Sequence, residues 1–343
     1  MRKGKTKWKR ASVCLVLSLA VGCAGATPPT VTATADLPPL DNPGPLPAAS
    51  SDEPAPSADV ARGVAALEAN DLATAKAAFQ AALRANAKDA DALYYLGALS
   101  EKAGDVAGAE SSYKAALAAR ATHARAEENL SALYDDAQRF DEALALTATA
   151  LAQHPKDGML HLNAAIAYGG KKDQPSAVRE FDAAVAASPR DATFRMLYGH
   201  WLAVLHQRDA AVTQLKAALP LSKDIGVVAA VGHDLHLLQA FPECVSALTQ
   251  AIGLRDAAEL RTERAACSIG LLDEAAALAD LRAATTKEPT YAPAQYYLGN
   301  ELVKAGDFAG AVAAYQAFLK LEPNGAPAKA VAEKLKAAKA KLH

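Results

Sequence analysis

A small residue returns along this chain at Gly63, Gly97, Ser131, Ala165, Gly199, Gly232, Ala265 and Gly299, at steps of 34 or 33 residues. Twelve residues after each stands Ala75, Ala109, Ala143, Ala177, Ala211, Cys244, Ala277 or Ala311. Four further on comes a residue that is usually larger and apolar: Phe79, Tyr113, Thr147, Phe181, Leu215, Leu248, Leu281 or Tyr315. Three beyond that, alanine returns from Ala82 to Ala284, with Phe318 breaking the series in the last unit. A period of this length, kept at four positions through eight units, describes a stack of like units that bury their apolar faces on one another. The chain therefore reads as one array, although 343 residues would suffice for two globular domains. Composition agrees. Alanine supplies 86 residues and aromatics only 6%, which suits closely packed helices and not a sheet.

This pattern resembles the tetratricopeptide repeat (TPR) over residues 56–325. The resemblance implies an all-α, right-handed solenoid of eight helix–turn–helix repeats across residues 57–325. In each repeat, helices A and B are joined by a turn such as Gly104-Asp105 or Gly306-Asp307. The small residue of A and the first small residue of B face each other, and the large residue fills the angle between them. Pro155, Pro189, Pro289 and Pro323 stand where helix B must stop. The two 33-residue units lack that proline and carry Pro220 or Gly253 three residues earlier, which predicts B helices that end early. Residues 326–343 are lysine-rich and helical in pattern, and read as the polar capping helix that a solenoid end requires.

By the same resemblance, the second, fifth, ninth, twelfth and thirteenth residues of each unit line a concave groove. Those places hold Asp91, Tyr94, Glu101, Lys102, Arg125, Glu128, Asp135 and Asp136 in the second and third units, net acidic, and Met159, Leu162, Ile166, Met196 and Val204 in the fourth and fifth. They hold His200, His233, His236 and Leu237 in the fifth and sixth units, and Asn300 with Lys304 in the eighth. An acidic stretch thus leads into an apolar middle, which suits an amphipathic or extended protein segment. The expected peptide-binding set is Met159, Leu162, Ile166, Met196, His200, His233, His236 and Asn300. The three histidines also open an alternative, a metal- or small-ligand-binding solenoid, because two imidazoles a turn apart and a third from the next helix are a ligand arrangement. Cys244 and Cys267 read as two buried small hydrophobes, with pairing open because they lie on neighbouring helices.

The N-terminus reads as an address. Residues 1–10 carry six cations and no anion, and Ala11–Gly22 is an apolar run of signal-peptide length. It ends in Leu19-Ala20-Val21-Gly22-Cys23, which resembles the lipobox of bacterial lipoproteins and implies lipidation of Cys23; cleavage near Ala24 or Ala26 is the rival. Ala24, with no Asp after the cysteine, favours the outer membrane. Residues 24–56 contain nine of the eighteen prolines and no Lys or Arg, a tether that cannot build a core.

Removing the first 22 residues takes the net charge from −2 to −8, which leaves no cationic field for nucleic acid. Gly-x-Ser-x-Gly, Gly-x-x-x-x-Gly-Lys, His-Glu-x-x-His and Cys-x-x-Cys are all missing from the sequence. The repeats also occupy nearly all the chain beyond the tether. The expected molecule is a lipid-anchored adaptor with an envelope protein as partner. It is not expected to be an enzyme, to carry a cofactor, or to take a small-molecule substrate.

Overall fold

The computed structural model describes residues 56–342; Cys23, the apolar run before it and the tether up to residue 55 lie outside them. The described residues form seventeen α-helices and no strand. Seven A helices of thirteen residues each start at the first place of a repeat: α3 (Ala90–Lys102), α5 (Ala124–Asp136), α7 (Gly158–Gly170), α9 (Ala192–Val204), α11 (Ile225–Leu237), α13 (Ala258–Gly270) and α15 (Ala292–Lys304). The shorter α1 (Ala58–Glu68) opens the series. The B helices are α2 (Leu72–Ala85), α4 (Val106–Ala119), α6 (Phe140–Gln153), α8 (Gln174–Ala187), α10 (Arg208–Ala218), α12 (Phe241–Leu254), α14 (Glu274–Lys287) and α16 (Phe308–Leu321). The last helix is α17 (Ala326–Ala340).

Local chemistry explains these boundaries. Asp71, Asp105, Asp173, Asp273 and Asp307 each accept the backbone N–H three residues on, which satisfies a donor that a helix start leaves free. Asp89, Asp157 and Asp224 do the same for A helices, and Asp191 accepts the N–H of Thr193, two residues on. Before each B helix the turn holds one residue in the left-handed region: Asn70, Gly104, Gln138, Lys172, His206, Gln239, Leu272 or Gly306. Helices α6, α8, α14 and α16 each stop two residues before Pro155, Pro189, Pro289 and Pro323.

The two 33-residue units behave differently from one another. Helix α10 ends early, giving way to a 3₁₀ turn over Leu219–Leu221 that contains Pro220. The same expectation fails for α12, which runs its full fourteen residues through Gly253. A helical glycine costs only about 1 kcal/mol, too little to end a packed helix. The missing residue is instead taken from the link between α12 and α13, residues 255–257.

Packing follows the four-position register. The first small residues of the B helices, from Ala75 to Ala311, are all fully buried, and so are the larger residues one turn later. A β-carbon on Gly97 would lie 2.7 Å from the Tyr113 ring, and one on Gly299 only 2.4 Å from Tyr315, so helix A must be bare there. In the third repeat the pair is Ser131 and Thr147, and a neighbour supplies polar contacts. Asn163 of α7 donates to Ser131 Oγ at 2.6 Å and to the Glu128 carbonyl at 2.9 Å.

The described repeats fall into two compact units, divided between Pro189 and Arg190. The first holds α1–α8. Its core runs from Val60 and Phe79 through Tyr95 and Tyr113 to Ala143. The second holds α9–α17, with cores around Met196, Val231 and Leu248 and around Tyr296, Tyr315 and Phe318. Cys244 of α12 and Cys267 of α13 form a disulfide within the second unit. The reading of two separate buried thiols is thereby corrected: both cysteines are fully buried, but they face each other across adjoining helices, their Cα atoms 6.3 Å apart.

Candidate functional site

The groove places on an A helix are not equivalent, and helical geometry says which are open. At about 100° per residue, the fifth and twelfth places lie only about 60° and 40° from the eighth, the residue that packs on helix B. The second, ninth and thirteenth lie about 100° to 140° away and turn toward the free side.

The structure follows this division at the fifth place, whereas the ninth-place Ala98 and Ala132 are buried and the twelfth-place His236 is partly exposed. Leu162 and Met196, both fifth-place residues, are 0% exposed, so the expectation that they face a ligand is corrected: they belong to the interior. Val60, Tyr94, Thr262 and Tyr296 hold the same place in other repeats and are buried too. Met159 and Ile166, at the second and ninth places of the fourth repeat, are partly exposed. Leu237, at the thirteenth place of the sixth, is 59% exposed.

In the first unit the expected acidic surface is largely internal or paired. Asp91 binds the Arg120 guanidinium and lies 3.2 Å from the His123 ring nitrogen. Glu101 accepts the Tyr113 hydroxyl at 2.7 Å. Asp135, a twelfth-place residue, is 6% exposed and neither of its oxygens has a hydrogen-bond partner. Burial pushes its carboxyl up to about 8, with the charge of Asp136 adding to the effect.

The second unit presents the better-ordered face. His200 of α9 meets Asp234 of α11 at 2.9 Å. His233 of α11 meets Glu263 of α13 at 2.7 Å, and His236 lies 3.8 Å from the same carboxylate. Each contact joins one A helix to the A helix of the next repeat. The carboxylates are buried and the imidazoles stand partly exposed above them. The hydrogen bond to Asp234 raises His200 above the ordinary histidine range against the cost of burial. For His233 burial works against the cation, but the hydrogen bond and charge of Glu263 outweigh it and its net shift is also upward.

These contacts oppose the metal alternative. Among the described residues no three His, Cys, Asp or Glu side chains are grouped to hold an ion. His233 and His236 share Glu263, whereas His200 points at Asp234 on another helix, so the three imidazoles do not meet at one centre. What sequence reasoning missed is the carboxylate beneath each histidine. Asp234 follows His233 directly and Glu263 precedes the small Ala265 by two, but neither stands at a place the groove register marks.

Asn300 of α15 also differs from a free groove residue. Its Oδ1 accepts the Tyr315 hydroxyl at 2.9 Å and the Lys334 ammonium at 2.7 Å. Lys304 pairs instead with Glu301 at 2.7 Å.

A model of the tetratricopeptide repeat family matches residues 60–124, 129–192 and 272–326. Among solved structures, the C-terminal part of a TPR repeat-containing protein from Cytophaga hutchinsonii is 14% identical, with a TM-score of 0.56 over 71% of this chain and 99% of that one. Yeast Tom70 is also 14% identical, with a TM-score of 0.51 over 86% of this chain and 66% of that one. No curated protein matches the sequence. The structural likenesses speak for the fold alone.

Proposed function

The chain belongs to the tetratricopeptide repeat family, and from that premise we propose that it is an adaptor, tethered by lipid to the periplasmic face of the outer membrane, which holds a segment of an envelope protein on its A helices. A protein-interaction scaffold is what the repeat fold supports. The observation that carries the reading is the row His200, His233 and Leu237, ninth- and thirteenth-place side chains left partly or largely open on consecutive A helices. A merely structural array has no need to leave a leucine in water there, and exposed apolar side chains beside ordered polar ones mark contact surfaces.

Two features support the location. Val21-Gly22-Cys23 supplies the acceptor for a lipid anchor, and more than one acyl chain holds a protein firmly to a membrane. The Cys244–Cys267 disulfide suits an oxidising compartment such as the periplasm. Among the described residues no helix is long and apolar enough to cross a membrane. The anchor is tested directly by Cys23→Ala. The variant should take up no labelled fatty acid and should leave the membrane fraction. A variant that still sediments with outer membranes, beside a wild type that takes up no label, would overturn the lipidated reading.

A further inference from the structure

Helices α13, α15, α16 and α17 of the second unit line an open pocket of about 580 Å³, within the range of small-ligand sites. Its walls are mainly apolar, with Ile269, Tyr297, Val303, Phe308 and Ala338 among them. Into this wall α17 sends Lys334. Its ammonium donates to Asn300 Oδ1 at 2.7 Å and to the Tyr296 hydroxyl at 3.3 Å, and sits 4.8 Å from the centre of the Tyr296 ring. All of these partners are neutral. Among the described residues no carboxylate pairs with Lys334. Glu301 is the one acid in the lining, and it is buried and engaged by Lys304.

A lysine on a capping helix ordinarily points to water. Here the cation is half-buried, oriented by three contacts and lacks a counter-charge. Lys341 lines the same pocket, so the balance of charge there is positive. A cation held beside apolar surface is strongly favoured by an anion that brings its own apolar body. The lining offers few groups for anything more polar. Asn300 Oδ1 already accepts two hydrogen bonds, which leaves little to pair the N–H and C=O groups of a peptide backbone.

We propose that this pocket binds a small amphipathic carboxylic acid, its carboxylate on Lys334 and its aromatic or aliphatic body against Tyr297, Val303 and Phe308. The site shares its α15 wall with the groove register, Asn300 and Lys304 standing at the ninth and thirteenth places, but it rests on Lys334 of α17 and not on His200, His233 and Leu237, so Lys334→Met tests it apart from the protein-partner reading.

The test is calorimetric titration of the full chain at pH 7 with 3-phenylpropionate and with its neutral amide. The acid should bind about tenfold more tightly than the amide, as a charge-assisted contact requires. Lys334→Met keeps the stem and removes the charge, and should abolish that preference while leaving the melting temperature nearly unchanged. Lys334→Arg should retain it. A second measurement needs no variant: the methyl signals of Ile269, Val303 and Ala338 should shift on titration. Equal affinity for acid and amide, no binding, or shifts confined to other methyls would each overturn the proposal. So would a preference that survives in Lys334→Met. Binding of an N-acetylated peptide ending in phenylalanine, with none of the free acid, would overturn it in favour of a polypeptide.

Discussion

Asp135 is a carboxyl group whose oxygens lack partners and whose side chain is closed off from water, and this sets a sign for the protein's response to pH. Its folded value, about 8, lies above the unfolded value of about 3.9. The group therefore contributes fully below pH 4, and that contribution is lost as pH rises toward 8. Asp135→Asn should stabilise the chain by about 1–3 kcal/mol at pH 8 and by almost nothing at pH 4, measured by denaturant titration at both. His200 and His233 act in the same direction. Their raised values give stability that is whole below about pH 6.5 and fades as pH climbs through the folded values. The chain should thus melt at a higher temperature at pH 6 than at pH 8. The acid limit comes from carboxylates of the opposite kind, such as Glu110, which hydrogen bonds from Arg139 and Lys114 hold down at about 2. Leu272 shows another local conflict: it is 87% exposed and has φ +60°. Leu272→Gly should raise stability by about 1 kcal/mol, since glycine meets no steric cost in that region and little apolar contact is lost. Gly104 and Gly306 reveal that turn in the sequence. Asn70, Gln138, Lys172, His206, Gln239 and Leu272 conceal it, because a turn imposed by two packed helices overrides residue preference.

At the scale of the helices, the periodic small and large residues could be read directly, because a close approach leaves no freedom of residue type. Gly97 and Tyr113 are the clearest pair: any side chain on the first would enter the ring of the second. Ala109 is fully buried in the same contact, and Ala109→Leu should cost about 1–3 kcal/mol by overpacking. Because repeats interact mainly with their neighbours, hydrogen exchange should show the loss in α1–α6 and leave α11–α16 unchanged. The groove was less legible. Family register marks five places alike, whereas 100° of turn per residue separates them, so Leu162 and Met196 go inside while Leu237 stays out. Pairing of Cys244 with Cys267 was equally hidden, since two buried cysteines on adjacent helices look the same in sequence whether bonded or not. The bond closes a segment of 23 residues. Replacing both cysteines with alanine should destabilise the second unit by about 2–4 kcal/mol, with enhanced exchange centred on α12 and α13.

Across the whole molecule, eight helix pairs and a terminal helix were visible in the period, while the division between Pro189 and Arg190 was not. The link there, Ser188-Pro189-Arg190-Asp191, differs little from His154-Pro155-Lys156-Asp157 one repeat earlier, so nothing in the period distinguishes it. The central claim is that the A-helix face of the second unit holds a protein segment. It is tested most directly by site-specific photocrosslinking in intact envelopes. A photoreactive residue at Leu237, largely exposed on α11, should give one discrete adduct with another polypeptide. The same residue at Ser246, exposed on α12 of the same repeat, should give none. Adducts of equal yield at both positions, or none at Leu237, would contradict the account.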